Sequence, residues 1–297
     1  MTALARLAAF AILLVGVFGA ATLAGGAVGP QTEDADGDGH EPHGHPDGDS
    51  ADGAGAHGGH ETEDAGGPGL AVAADGLRLV AARTRVRVGE PQRFAFRIVD
   101  DRGRAVLPPS FEEEQERKLH FIVVRRDLSG YQHLHPEVAA DGTWSIALRL
   151  SEPGVYRAFA DFQLGGAKRT LGVDVFAAGP FRPRPLPAPA QTARAAGYEV
   201  RLSTRDQAGP TELAFEVRRN GRRVRSLEPY LGARGHLVAL REGDLAYLHV
   251  HPEAAGGPGE PIEFAAEYSS AGRYRLYLQF RHHGRVRTAE FTQQVNR

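Results

Sequence analysis

The pattern Tyr-x-His-x-His-Pro-Glu occurs twice in the chain, as YQHLHPE at 131–137 and as YLHVHPE at 247–253. The agreement extends further, because His120 and His236 each stand thirteen residues before the first histidine of their copy. The repeated unit is therefore a histidine, a gap of twelve residues, and then His-x-His-Pro-Glu. A spacing of 116 residues indicates a duplicated domain rather than a solenoid of short units.

The chain divides into two halves that align along most of their length. For example, PGVYRAFADF at 153–162 matches AGRYRLYLQF at 271–280. Between the halves stands GPFRPRPLPAPAQ, whose five prolines predict a semi-rigid, polyproline-like linker. The predicted boundaries are domain 1 at 70–178, the linker at 179–192 and domain 2 at 193–297.

Each half contains short β-type runs separated by Gly, Pro, Asp or Asn turns. Phe94–Val99 and Tyr156–Phe162 are two such runs, and no window of a dozen residues has a convincing helical stripe. About seven strands in roughly 100 residues is the rhythm of an immunoglobulin-like sandwich. The sequence therefore predicts an all-β protein with two tandem immunoglobulin-like β-sandwich domains.

The N-terminal part predicts export. Residues 7–28 carry no charge and follow Arg6, which is typical of a secretory signal peptide or of an uncleaved membrane anchor. We therefore expect residues 1–28 to be one or the other, and the protein to lie in the cell envelope, anchored or secreted. Residues 29–69 are rich in Asp, Gly and His and lack Lys and Arg, which predicts a disordered tether.

The first copy of the pattern is expected to form the second strand of a hairpin. A turn centred between Asp127 and Leu128 places His120 opposite His135, and His133 then shares their face of the sheet. The same construction in the second half places His236 opposite His251. Each half thus offers three imidazoles on one face.

Prolines that end both strands place each histidine trio at the rim of its sheet, and a glutamate follows each proline. The glutamate could be a fourth ligand or could orient a ligating imidazole. The candidate metal ligands are His120, His133, His135 and Glu137 in the first half, and His236, His249, His251 and Glu253 in the second.

The chain contains no cysteine, and its single methionine is the initiator, so thiolate and thioether metal ligands are excluded. A site of imidazole and carboxylate favours Cu(II) or Zn(II). A second interpretation stays open, in which duplication has copied histidines that only stabilise the fold. Strand 119–125 supports it, since residues on both of its faces are apolar and the two halves could pack together there.

Other classes of function find little support. The chain lacks Gly-x-Ser-x-Gly, His-Glu-x-x-His and a phosphate loop, so we expect no enzymatic activity. Its arginines are scattered without an RNA-binding signature, so we expect no nucleic-acid partner. The acidic run Glu112–Glu114 predicts a solvated loop. Contact with a membrane is expected only through the N-terminal segment.

Over residues 70–297 the chain resembles a group of exported actinobacterial proteins with a duplicated Tyr-x-His-x-His-Pro-Glu domain. The resemblance is carried by LHFIVVRRDLSGYQHLHPE at 119–137 and EPYLGARGHLVALREGDLAYLHVHPE at 228–253. It implies a β-sandwich associated with heavy-metal or copper handling, distantly similar to YtkA-like and CopC-type domains. The N-terminal histidine and Met-rich segments typical of CopC-type proteins are not present.

These observations lead to one leading hypothesis and one rival. The leading hypothesis is extracytoplasmic binding or buffering of a divalent transition metal through two three-histidine sites, one in each domain. The rival is a non-enzymatic structural or protein-interaction module of the cell envelope, in which the histidines belong to the fold.

Overall fold

A computed structural model describes residues 67–206, 209–248, 250–253 and 257–296. These residues form β-strands, turns and one 3-10 helix at Pro108–Ser110, with no α-helix among them. The predicted signal peptide or anchor and nearly all of the predicted tether lie outside the described residues. Within the described ranges, no helix has the length and apolar character needed to span a bilayer.

Domain 1 is a sandwich of two sheets. Its strands are β1 Ala73–Ala74, β2 Leu77–Ala81, β3 Arg85–Val86, β4 Gln92–Asp100, β5 Phe111–Glu112, β6 His120–Arg125, β7 Gln132–Leu134, β8 Glu137–Val138, β9 Trp144–Leu148, β10 Gly154–Leu164 and β11 Ala167–Ala177. We call the sheet that packs against domain 2 the inner sheet and the other the outer sheet. The outer sheet has the order β1-β2-β4-β9-β8. The inner sheet has the order β3-β11-β10-β6-β7, with β5 beside β10.

Domain 2 repeats this plan. Its strands are β12 Thr192–Ala195, β13 Tyr198–Arg205, β14 Thr211–Arg219, β15 Arg222–Arg223, β16 His236–Arg241, β17 Tyr247–Leu248, β18 Val250–Pro252, β19 Ile262–Ala266, β20 Gly272–His282 and β21 Arg285–Val295. The outer sheet has the order β12-β13-β14-β19-β18, with β15 beside β14, and the inner sheet has the order β17-β16-β20-β21. The prediction of two tandem immunoglobulin-like sandwiches is confirmed.

Alternating side chains explain why each sandwich forms. In β14, Leu213, Phe215 and Val217 point into the core of domain 2, and the residues between them are more exposed. In domain 1 the rings of Phe96 and Phe121 stack 4.9 Å apart between the two sheets. Burial of these apolar faces is the main stabilising contribution to each domain.

A third apolar cluster joins the two inner sheets, and we call it the interdomain cluster. Strand β6 is buried along its whole length, as its two apolar faces predicted. Phe121 and Val123 face the core of domain 1, whereas Ile122 and Val124 pack in the interdomain cluster. The buried members of this cluster are Ile122, Val124, Leu128, Phe159, Val238, Leu240, Leu245, Tyr247 and Tyr277.

The segments flanking domain 1 are also bound to the fold. Arg125 donates to the carbonyl oxygen of Arg182 in the linker at 3.0 Å, and Leu186 packs against the interdomain cluster. Residues 67–69, predicted as the end of the tether, belong to the folded part, because the N–H of Tyr247 donates to the Pro68 carbonyl oxygen at 2.9 Å. Residues 67–69 therefore pack with the two domains although they precede the predicted start of domain 1 at residue 70.

Candidate metal site between the domains

The hairpin of β6 and β7 brings three histidines of domain 1 together. Its register pairs Ile122 with His133 and Phe121 with Leu134, as the turn predicted. One step beyond the last pair, the rings of His120 and His135 lie 5.3 Å apart, edge to face. The rings of His133 and His135 are 4.7 Å apart. The predicted trio of domain 1 is therefore assembled.

The second hairpin also has its predicted register, since Ala239 pairs with Leu248, but it ends there. The chain then crosses to the outer sheet, where His251 in β18 pairs with Ala265 and is exposed. The predicted pair of His236 with His251 is thus wrong, because the crossover precedes it. His249 lies outside the described residues.

His236 instead joins the histidines of domain 1. The rings of His236 and His133 are 4.4 Å apart, and those of His236 and His120 are 5.5 Å apart and nearly parallel. One ring nitrogen from each of these three histidines lies within 4.8 Å of the other two. Together with His135 they form what we call the histidine cluster. The described residues thus form one cluster between the domains, whereas the sequence predicted one in each.

The two candidate glutamates do not belong to the cluster. Glu137 is exposed in β8, where it pairs with Ser145 of the outer sheet. Glu253 is also exposed, and its N–H donates to the carbonyl oxygen of Glu263 at 3.0 Å. Both follow the crossover, which carries them away from the inner sheets.

Hydrogen bonds fix how the imidazoles face one another. The Nε2–H of His120 donates to the main-chain carbonyl oxygen of Glu114 at 3.1 Å. A carbonyl can only accept, so a neutral His120 has a lone pair on Nδ1. That Nδ1 lies 3.0 Å from Nε2 of His133, whose Nδ1 contacts the side-chain oxygen of Gln279 at 2.6 Å.

Other ring nitrogens of the cluster have no protein partner. Nδ1 of His236 and Nε2 of His135 are buried without a hydrogen-bond partner among the described residues. Buried polar atoms are rarely left in this state, and an ion is one explanation for such an atom. Two nitrogens bound at about 2.0–2.1 Å to one Zn(II) lie roughly 3 Å apart, close to the separation of the His120 and His133 nitrogens. His120 and His133 are therefore spaced to share one metal ion, and His236 offers a third ligand atom within 4.8 Å.

The electrostatics of the cluster favour neutral imidazoles. Burial lowers the pKa of His120, and it lowers the pKa values of His133 and His236 much further. Burial, with His120 and Arg117 nearby, brings the pKa of His135 down to about 4. Since neutral imidazole is the form that ligates a metal, the cluster is in that form at neutral pH.

A buried carboxyl group stands next to the cluster. Asp161 lies opposite His120 in the β6–β10 ladder, is 4% exposed, and accepts a hydrogen bond from Thr170 at 2.8 Å. Lys168 lies 3.8 Å from Asp161 and 3.0 Å from Glu114. Burial raises the pKa of Asp161 in spite of this lysine.

Three residues around the cluster were missed at the level of the sequence. Glu114 was predicted to lie in a solvated loop, yet its carbonyl holds His120 and its carboxylate binds Lys168. Asp161 and Gln279 occupy equivalent positions in the two halves, each next to apolar residues of a strand. The sequence did contain a sign of their importance, because both otherwise apolar strands have a polar residue at this same position.

The family described as a domain of unknown function (DUF8832) matches residues 71–179 and 192–297, one match for each domain. The duplication predicted from the repeat is therefore confirmed. No curated protein sequence matches the chain.

Solved structures similar to the chain include two bacterial proteins of low identity. The Escherichia coli adhesin FdeC is 14% identical with a TM-score of 0.25, over 76% of this chain and 66% of that one. The bacterial integrin-binding protein invasin is 15% identical with a TM-score of 0.23, over 70% and 37%. The chain spans less than two thirds of the length of either protein.

Proposed function

The chain belongs to the DUF8832 family, and we propose that this member binds one divalent transition-metal ion, Cu(II) or Zn(II), between its two domains. The proposed ligands are His120 and His133 of domain 1 and His236 of domain 2, with His135 available as a fourth. The protein would hold or buffer the ion outside the cytoplasm, where its N-terminal segment is expected to direct it.

One observation carries the proposal, namely the convergence of ring nitrogens from three histidines, of which Nδ1 of His236 has no hydrogen-bond partner among the described residues. Ligand atoms of three histidines lie within 4.8 Å of one another, and those of His120 and His133 are 3.0 Å apart. A cation bound by these nitrogens would satisfy them together, which packing alone does not.

The ligand set limits the identity of the metal. Three imidazoles without sulfur suit Cu(II) and Zn(II) and do not suit Cu(I), which prefers thiolate and thioether ligands. The resemblance to copper-handling sandwiches favours copper, and the closed, buried position favours a structural or storage site over a catalytic one. One ion for each chain is expected, because His236 of domain 2 joins His120 and His133 of domain 1 in a single group.

The rival function is a structural or interaction module, and the interdomain cluster favours it. Ile122 and Val124 of domain 1 pack with Val238 and Leu240 of domain 2, so the histidines stand beside an apolar interface. On this hypothesis the contact of His133 with Gln279 would serve only to hold the domains together.

Calorimetric titration of Cu(II) and Zn(II) into the full chain separates the two hypotheses. The matched variants are His133→Ala/His236→Ala, which removes two proposed ligands, and His251→Ala, which removes an exposed histidine of the same repeat. We expect a tight phase near one equivalent that is lost in the double variant and kept in His251→Ala.

The tether histidines are common to all three proteins, so they contribute equally to each titration. A tight phase that survives the double variant would reject the proposed ligands. No tight phase in the wild type, together with a less stable double variant, would support the structural role.

A further inference from the structure

Gln279 of domain 2 reaches across the interface to a proposed ligand of domain 1. It stands in β20 opposite His236, is 6% exposed, and its Oε1 lies 2.6 Å from Nδ1 of His133. Its amide nitrogen is directed to the hydroxyl of Thr288, at 3.5 Å. The amide is therefore oriented with its oxygen towards His133.

This orientation selects one tautomer of His133. An amide oxygen accepts and does not donate, so the proton of a neutral His133 lies on Nδ1, and Nε2 has a lone pair. The Glu114 carbonyl imposes the complementary state on His120, with its proton on Nε2. The two nitrogens that face each other at 3.0 Å are then both lone-pair donors to a metal. Without the Gln279 oxygen, His133 could place its proton on Nε2 and donate to His120 instead.

We propose that Gln279 is a positioning residue, which holds His133 in the tautomer that ligates metal. The inference rests on the proposed function and adds a role for a residue that touches no ion itself. Carbonyl and carboxylate partners of ligating histidines commonly act in this way, and their removal lowers metal affinity by about 10- to 100-fold. Since Gln279 belongs to domain 2, docking of the domains both supplies His236 and orients His133.

The equivalent residue of domain 1 does not take this role towards the described histidines. Asp161 occupies the same position in its half, but Thr170 and Lys168 of its own domain contact its carboxylate. The duplicated position has therefore diverged, with the acid held inside domain 1 and the amide directed across the interface.

The test compares Zn(II) and Cu(II) affinities of Gln279→Leu and Gln279→Glu, with Gln294→Leu as the matched control at an exposed glutamine of domain 2. We expect affinity to fall about 10- to 100-fold in Gln279→Leu. It should remain at the wild-type level or rise in Gln279→Glu, because a carboxylate also accepts from Nδ1–H. Gln294→Leu should bind as the wild type does. A packing role predicts the reverse order, with buried leucine tolerated better than buried glutamate.

Nitrogen-15 chemical shifts of the imidazoles in the metal-free full chain give a readout that does not depend on metal. The wild type and Gln279→Glu should show His133 protonated at Nδ1, and Gln279→Leu should shift the proton to Nε2. If the wild type binds no metal yet shows this pattern, the proposed function fails, and only the selection of the His133 tautomer by Gln279 stands. If His133 carries its proton on Nε2 in the wild type, or if Gln279→Leu binds metal as tightly, the positioning role is rejected.

Discussion

The two copies of Tyr-x-His-x-His-Pro-Glu differ in where the chain leaves the inner sheet. In domain 1 the inner strand β7 continues to Leu134, and the outer sheet is joined only at Glu137. In domain 2 the inner strand β17 ends at Leu248, and Val250 already pairs in the outer sheet. An earlier crossover moves His251 away from the interface, so identical motifs need not be equivalent sites.

The tyrosines of the two copies, in contrast, make equivalent contacts, each with an aromatic ring of the other domain. Tyr131 of domain 1 stacks on Tyr277 of domain 2 at 4.1 Å, and Tyr247 of domain 2 packs against Phe159 of domain 1 at 5.5 Å. Phe159 and Tyr277 are equivalent in the repeat, so each domain offers the same surface to the other. This is the pattern of a two-fold, isologous interface, formed here within one chain.

Because the two tyrosines are equivalent, we expect substitution of either one to have the largest effect on stability. Tyr131→Ala and Tyr247→Ala should each lower the free energy of unfolding by about 3 kcal/mol, because each leaves a cavity against a ring of the other domain. Urea denaturation measures the loss, with the exposed Val286→Ala as control. A loss below about 1 kcal/mol for one tyrosine alone would show that the interface is not two-fold.

The histidines buried between the domains, unlike the exposed His251, predict that the stability of the metal-free protein depends on pH. Burial holds the pKa of His135 at about 4, whereas histidine in an unfolded chain has a pKa of about 6.5. Between these values the unfolded chain binds more protons, so the free energy of unfolding falls as the pH falls through this window. The lowered pKa values of His133 and His236 act in the same direction.

Urea denaturation across that pH window, for the wild type and for His135→Gln, measures the contribution of His135. Asp161, whose pKa is raised by burial, contributes with the opposite sign and is present in both proteins. The variant should lose less stability on acidification. An identical pH dependence in the two proteins would contradict the burial of His135 as a neutral imidazole.

The smallest effect is expected where the two halves differ by one hydroxyl group. The hydroxyl of Tyr277 donates to the carbonyl oxygen of Leu128 at 2.6 Å, whereas its equivalent Phe159 has none. Tyr277→Phe makes the positions alike and should lower the free energy of unfolding by about 1 kcal/mol, since a buried carbonyl loses its partner. Thermal unfolding measures the shift, and an unchanged midpoint would mean that the bond adds nothing.

Much of the local structure could be predicted from the residues. The repeat, the two sandwiches, both hairpin registers and the burial of both faces of strand 119–125 followed from alternation and turn placement. The assembly of His120, His133 and His135 followed from the first register. The contribution of Glu114 was missed because its main-chain carbonyl accepts the hydrogen bond from His120. Every residue has such a carbonyl, so the type of side chain does not reveal it.

The sequence by itself determined the local pairings, because a hairpin register depends on a short turn and on the two strands beside it. Only the tertiary structure decided that His236 joins the histidines of domain 1 and that His251 lies in the outer sheet instead. Those outcomes depend on where the chain changes sheets and on contacts such as that of His133 with Gln279, which are 146 residues apart. The packing of two whole domains sets such contacts, and no short stretch of residues encodes them.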